Sequence, residues 1–336
     1  ADPLENSPEE APLIQLSPVG VGPQAGETGC SYANAGSGNY ASTLCWLDLS
    51  SITTQYQQKS ISQPACTKSG NNYVCKTTVT WVPMLGEKYG SAVSVTGQAS
   101  HANQTSARNT SATNALNELA KTLFRSGSSF YGPISKYPLK VRISDAYTLE
   151  AELSITAAAG SGGLAVIPSK FPTYGGSFLG NNGFYTIANS QFKPALYQGG
   201  PGTTTATLSN IKLTSDGVAV TGYSIVVADA ESSDNSESIT WTASGAATPG
   251  GKAFTWLPND PKRWASASTA QAKRTYTVGN ACGSNSVNDW ATGAVASPFT
   301  CVGLSTTGVK TGTAMLQASP ASASANFTVT QQMVGG

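Results

Sequence analysis

Hydrophobic positions in this chain recur mainly in short runs with a period of two, bounded by Gly, Pro, Ser or Asn. Within Tyr73–Val82 the odd positions Thr77, Val79 and Trp81 share one face of an extended strand, and the even positions share the other. Further runs of this kind are Tyr40–Trp46, Leu139–Ile143, Leu149–Ile155, Leu164–Ile167, Ala206–Leu213, Val218–Ala228, Ile239–Ala243, Ala253–Leu257 and Phe327–Thr330. Many short strands at this spacing predict a mainly β protein built as a two-sheet sandwich.

One segment departs from the strand pattern. Ser111–Phe124 places apolar side chains at helical spacing, at Ala112, Ala115, Leu116, Leu119, Ala120 and Leu123. Ser111 stands three residues before Asn114, an imperfect capping signal at the start of this run. The sequence therefore predicts one short helix beginning near Ser111.

Composition agrees with the strand pattern and excludes several function classes. The 35 glycines, 18 prolines and 39% hydrophobic residues favour strands joined by turns over a helical bundle. Nineteen basic and 18 acidic residues give a formal net charge of +1, which offers no electrostatic footprint for nucleic acid. No apolar stretch approaches the roughly 20 residues that span a bilayer, so membrane insertion is not expected.

The start of the chain differs in composition from the rest. Residues 1–26 contain five prolines among Glu and Gly and predict a flexible tether, with Ala1-Asp2-Pro3 interpreted as a vector remnant. Residues 27–336 are predicted to fold as the β-sandwich domain. A small N-terminal subdomain reaching to about residue 135 is the alternative.

The six cysteines form three sequence-local pairs without a CxxC motif. Six cysteines allow 15 connectivities, and sequence excludes none of them. The first choice is the local pairing, namely Cys30–Cys45, Cys66–Cys75 and Cys282–Cys301. Disulfides of this kind imply an exported protein.

The segment between the runs that end at Ala228 and begin at Ile239 concentrates four carboxylates, although only 11% of the chain is charged. Its candidate ligand-binding residues are Asp229, Glu231, Asp234, Asn235 and Glu237. Their oxygens could supply part of a Ca²⁺ shell, with the four carboxylates as the possible metal ligands, yet the order of an EF-hand loop is missing. A turn held by Asx and Ser hydrogen bonds and direct contact with a ligand remain open beside the metal.

A second candidate binding segment combines turn glycines with aromatic rings and side-chain amides. It contains Asn181, Asn182, Phe184 and Tyr185. Rings can stack on sugars and amides can bond their hydroxyls, which predicts a glycan or peptide platform. The alternative is a plain hairpin turn, since Asn182-Gly183 is a strong turn signal by itself.

The sequence does not favour catalysis. A retaining glycosidase needs two carboxyls about 5 to 5.5 Å apart, which Asp229 and Glu231 could approach, but Ser233 stands where a third acid is usual. The single histidine, His101, cannot form a multi-histidine zinc site, and no Gly-x-Ser-x-Gly elbow accompanies it. His101 is interpreted as a surface residue near the helix.

Three blocks of the sequence belong together, namely Ser37–Leu49, Phe178–Tyr185 and Asp229–Trp241. They resemble the ligand-binding region of CshA-type fibrillar adhesins of Gram-positive bacteria, although the chain lacks a wall-sorting LPxTG signal and fibre repeats. The resemblance implies a lectin-like, jelly-roll β-sandwich on the bacterial surface that binds host glycoproteins such as fibronectin and performs no catalysis.

The leading prediction is therefore a secreted, surface-displayed adhesin domain, monomeric and part of a longer protein. Its expected partner is a host matrix or cell-surface glycoprotein or a glycan, with no cofactor except the possible Ca²⁺. A secreted carbohydrate-binding or glycoside-hydrolysing sandwich is one alternative. A purely structural stalk domain is the other.

Overall fold

A computed structural model describes residues 27–32, 44–157, 165–173, 191–229, 237–256, 294–302 and 315–335. This part of the chain is mainly β, with one α-helix, α1 (Gln104–Leu119). The strands are β1 (Thr28–Tyr32), β2 (Cys45–Leu47), β3 (Gln55–Ser62), β4 (Thr67–Ser69), β5 (Asn72–Pro83), β6 (Val93–His101), β7 (Phe124–Ser126), β8 (Ser129–Tyr131), β9 (Ile134–Arg142), β10 (Thr148–Ala157), β11 (Val166–Ser169), β12 (Ala195–Gln198), β13 (Gly202–Ser215), β14 (Val218–Val220), β15 (Ile225–Ala228), β16 (Ser238–Ser244), β17 (Phe254–Trp256), β18 (Ala294–Val295), β19 (Phe299–Val302), β20 (Met315–Ala318) and β21 (Thr328–Gly335). Two short 3₁₀ turns lie at Glu87–Tyr89 and Pro249–Gly251.

The largest sheet, which we call the main sheet, has nine strands. Its order is β19-β16-β21-β13-β10-β9-β1-β2, with β14 paired to β13. Strand β1 runs parallel to β9, and the other pairs are antiparallel. Along β13 the side chain of Ala206 is buried, whereas Thr205 and Thr207 on the opposite face are half-buried. Alternate residues therefore form one buried face of the main sheet, and this face packs against the core.

A four-stranded sheet, the small sheet, has the order β15-β20-β17-β18. Its Phe254 and Leu316 belong to the same hydrophobic cluster as Trp241 and Phe327, which lie on and beside the main sheet. All four side chains have no exposed surface. Burying side chains of this size stabilises the fold by about 2 to 3 kcal/mol each, so the two sheets are held together mainly by this cluster.

The run Val218–Ala228, predicted as one strand, is divided between the two sheets. Strand β14 pairs with β13 in the main sheet, and β15 pairs with β20 in the small sheet. Gly222 lies between them with φ of +87°, a conformation that residues with a side chain rarely adopt. The prediction of a single strand was wrong because hydrophobic periodicity does not register a change of sheet.

Residues 55–131, which we call the helical unit, form a separate six-stranded sheet with α1. Its order is β4-β5-β3-β8-β7, with β6 on the other side of β5. The two faces predicted for β5 are confirmed. Thr77 and Val79 are buried, while Thr78 and Thr80 on the other face exchange hydroxyl hydrogen bonds with Thr96 and Ser94.

The helix begins earlier than predicted. Asn103 is its N-cap, because its Oδ1 accepts a hydrogen bond from the backbone N–H of Ser106. Ser111, expected near the start, is instead fully buried inside the helix, where its hydroxyl lies 2.7 Å from that of Thr77. The prediction failed because the first two turns are rich in Ser, Thr and Asn and carry no apolar stripe.

Small side chains let α1 approach the sheet closely. Its buried residues Ala107, Ser111, Ala115 and Leu119 repeat every four positions. They face Gly97 on β6, where an added Cβ would lie only 2.1 Å from the backbone nitrogen of Ala115. Glycine is required there because the helix backbone occupies the space of a side chain.

A mainly β fold with one helix is thus confirmed, and the jelly-roll form stays a prediction, as do the boundaries at 26 and about 135. Periodicity alone missed the short or polar strands, namely β1, β3, β4, β6, β7, β8, β12, β18, β19 and β20. Strands β1 and β2 join the main sheet, whereas β3 to β8 do not.

We predict that Gly97→Ala destabilises the protein by about 3 kcal/mol, since the new methyl group must push the helix backbone away from β6. Chemical denaturation followed by circular dichroism measures the loss. Gly199→Ala is the matched control, because a Cβ there would meet only the carbonyl oxygen of Ala165 at 3.8 Å. Equal stability of the two variants would contradict the close packing.

A second prediction concerns Tyr56, whose hydroxyl donates to the carbonyl oxygen of Pro133 at 2.7 Å. Burial raises the pKa of Tyr56 to about 12, so the unfolded chain loses this proton at lower pH than the folded one. The stability that Tyr56 contributes is therefore complete below about pH 10 and is lost as pH rises toward about 12.

Tyr56→Phe should unfold about 1 kcal/mol more easily near neutral pH, because the Pro133 carbonyl loses its donor. The parent should lose roughly 1.4 kcal/mol relative to the variant by about pH 11, which is enough to cancel or slightly reverse the difference. Urea unfolding of both proteins across this range checks it. Burial also raises the pKa of Tyr223, which is present in both proteins and cancels from the comparison. A difference in unfolding free energy that does not change with pH would disprove the raised pKa of Tyr56.

Candidate functional site

The acidic segment of the sequence connects the two sheets. Asp229 directly follows β15 of the small sheet, and Glu237 directly precedes β16 of the main sheet. Both residues are half-buried. The other three candidates in this segment, Glu231, Asp234 and Asn235, lie outside the described residues.

The strand ends that flank this segment share one end of the main sheet. Ser238, the first residue of β16, stands opposite Val334 near the end of β21 and opposite Val302 at the end of β19. Gly335 in turn stands opposite Gly202 at the start of β13. Strand β10 ends at the same level, where its last residue pairs with β13 two positions after Gly202.

The small sheet is aligned with the main sheet, because the far ends of β16 and β20 meet at the bridge between Ala246 and Pro320. Ala228, the last residue of β15, stands opposite Met315 at the start of β20. Trp256 at the end of β17 stands opposite the next residue of β20, and the preceding residue, Thr255, stands opposite Ala294 at the start of β18. We call this common set of strand ends the loop end. Four connections leave from it and return to it, namely residues 158–164, 230–236, 257–293 and 303–314.

The side chain of Gln198 fixes the backbone at the loop end. Its Nε2 donates to the carbonyl oxygens of Gly200 at 3.0 Å and Gly202 at 2.8 Å, and its Oε1 accepts from the hydroxyl of Thr204, which is 1% exposed. A Cβ on Gly335 would lie 2.8 Å from this amide. One glutamine, which no sequence motif had singled out, therefore holds the start of β13 and packs closely against the end of β21.

The described part of the loop end is acidic. Asp229 and Glu237 are the charged residues among its described strand ends, and no Lys or Arg stands there. Half-buried carboxylates at strand ends can accept hydrogen bonds from amides or hydroxyls of a ligand. This chemistry suits polar recognition.

The described residues do not test the predicted calcium site. Among the described side chains, no group of three or more His, Cys, Asp or Glu residues could hold a metal ion. Two of the four possible calcium ligands, Glu231 and Asp234, lie outside the described residues. The same applies to the carboxylate pair considered for glycoside hydrolysis, which includes Glu231.

The second candidate segment is anchored elsewhere. Asn181, Asn182, Phe184 and Tyr185 lie outside the described residues, between β11 and β12. Those strands are antiparallel, and their ends that flank the segment are Ser169 and Ala195, which pair with each other. Gln198, at the opposite end of β12, is the residue that reaches the loop end. The structure therefore gives the two candidate segments different points of attachment.

His101 lies where the sequence predicted, on the surface beside the helix. It is exposed at the end of β6, and its Nδ1 accepts a hydrogen bond from the backbone N–H of Asn103 at 2.9 Å. Asn103 is the N-cap of α1. His101 thus helps to shape the turn that starts the helix.

Two of the predicted disulfides are present, Cys30–Cys45 and Cys66–Cys75. They close loops with sequence separations of 15 and 9 residues and indicate a non-cytoplasmic protein. The third predicted bridge involves Cys282, which lies outside the described residues. No helix in the described part of the chain is both long and apolar enough to cross a membrane.

Comparisons of this chain with protein-family models, with curated proteins and with solved structures found no match.

Proposed function

We propose that this chain is a non-catalytic adhesin domain, displayed on a bacterial surface, that binds a host glycoprotein or glycan through the loop end. The observation that carries the proposal is the alignment of strand ends from both sheets, which makes four connections start and finish at one end. β-frameworks commonly present their binding residues in this way, because rigid strands position loops that can vary.

Two further observations support it. Disulfides form and persist in oxidising environments, which agrees with an exported domain. The loop end carries Asp229 and Glu237, and carboxylates are strong acceptors for sugar hydroxyls and for amide donors of a partner protein. We further propose that the main and small sheets form a lectin-like jelly-roll sandwich, since they share one hydrophobic core.

The test is saturable binding of the intact chain to immobilised host matrix glycoproteins, with fibronectin among them, measured by biolayer interferometry. The double variant Asp229→Asn and Glu237→Gln should weaken binding roughly tenfold or more, because each change removes a charged acceptor. Parallel runs with a chelator and with deglycosylated ligands identify a calcium requirement and glycan recognition.

Asp216→Asn is the matched control. It makes the same carboxylate-to-amide change at the turn after β13, at the end of the main sheet opposite the loop end. Asp216 has φ of +49°, a conformation that Asn also tolerates, so this control should fold and bind like the parent. Absence of binding to every glycoprotein, or equal weakening by both variants, would refute a loop-end adhesin. Thermal unfolding of each variant excludes a trivial loss of structure.

A further inference from the structure

The near-neutral charge of the whole chain conceals an uneven distribution. The helical unit, residues 55–131, contains seven basic and two acidic residues, a formal net charge of +5, whereas the whole chain has +1. Every residue of this unit is described. Its two carboxylates are already paired, Glu87 with Lys59 at 2.6 Å and Glu118 with Lys121 at 2.7 Å.

Both acidic residues lie at the same end of the helical unit. Glu118 is in the last turn of α1, and Glu87 follows the end of β5. The opposite end consists of the β4–β5 hairpin, the end of β6 and the first turn of α1, which we call the basic tip and define as residues 66–76 and 98–108. The basic tip contains Lys68, Lys76 and Arg108 and no Asp or Glu.

The three cations of the basic tip belong to neighbouring elements. Lys68 pairs with Tyr73 across β4 and β5, and its Nζ lies 5.9 Å from the centre of the Tyr73 ring. Lys76 is three residues further along β5, opposite Gln98 of β6, and lies on the face of the sheet away from α1, so the three cations surround the end of this sheet. Arg108 is one helical turn after Gln104, whose carbonyl oxygen lies 3.8 Å from Cys75 Sγ. Both lysines are exposed, and Arg108 is half-buried.

The basic tip is held rigid by short-range contacts. The Cys66–Cys75 disulfide ties β4 to β5, and the backbone N–H of Asn103 bonds His101 at the start of the helix. A preformed surface loses little conformational entropy when it binds, so its charges can be used for recognition. Around the cations stand amides and hydroxyls, including Asn71, Asn72, Gln98, Ser100 and Gln104.

We propose that the basic tip is a second binding surface, separate from the loop end, that binds an acidic glycan such as a sulfated polysaccharide. Cations without a neighbouring carboxylate attract sulfate or carboxylate groups, while side-chain amides bond the sugar hydroxyls. Tyr73, half-buried and paired with Lys68 across β4 and β5, offers one ring to a sugar face. A single ring disfavours single-stranded nucleic acid, which is bound by successive aromatic platforms.

Binding of the intact, disulfide-bonded chain to immobilised heparin tests the proposal, with dextran as an uncharged glycan and with polyglutamate and duplex DNA as other polyanions. The triple variant Lys68→Gln, Lys76→Gln and Arg108→Gln should reduce heparin affinity roughly tenfold or more. Added salt should weaken the parent's binding, because ions screen exposed charges.

The control is Lys193→Gln, Lys212→Gln and Lys252→Gln, which removes the same charge from exposed positions outside the helical unit. Both triple variants have a formal net charge of −2, so a general charge effect would lower their heparin affinity equally and would overturn the proposal. Absence of heparin binding by the parent, or equal affinity for polyglutamate or DNA, would also overturn it. A loss of heparin affinity in the tip variant alone supports the proposal. This result does not depend on whether the loop-end variant still binds a glycoprotein.

Discussion

The burial of one face of the main sheet against the small sheet is the interaction on which the remaining structure depends. Trp241, Phe254, Leu316 and Phe327 have no exposed surface and join strands from both sheets into one core. The Trp241 Nε1–H is satisfied by Gln331 at 2.8 Å, so this large ring can be buried without leaving an unpaired donor. Because register decides which face is buried, the core also fixes where each strand ends.

The proposed function depends on those strand ends. The short connection between Asp229 and Glu237 must pass from one sheet to the other, which places two carboxylates beside the ends of several strands. The helical unit is inserted between β2 and β9 and has its own small core around Tyr56, Leu119 and Phe130. The loop end and the basic tip therefore stand on parts of the chain with different cores, and their ligands can differ.

Sequence reasoning succeeded where local chemistry decides the outcome. The alternation within Tyr73–Val82 predicted both faces of β5, and the local spacing of cysteines predicted the two bridges at Cys30–Cys45 and Cys66–Cys75. Sequence reasoning failed where contacts between residues distant in the chain stabilise an element. Strand β6 carries mostly polar or small side chains. It is recognisable as a strand only because it pairs with β5 and α1 packs on it.

By itself, the sequence determined the mainly β class and the presence of a helix, and it predicted the two bridges that the structure describes, because periodicity and spacing are properties of neighbouring residues. The tertiary structure alone decided that Val218–Ala228 divides between sheets, that Gly97 must be glycine and that Gln198 braces the loop end. It also showed that Lys68, Lys76 and Arg108 belong to adjoining elements. Each of these outcomes joins residues distant in the chain, and only packing and strand register bring them together.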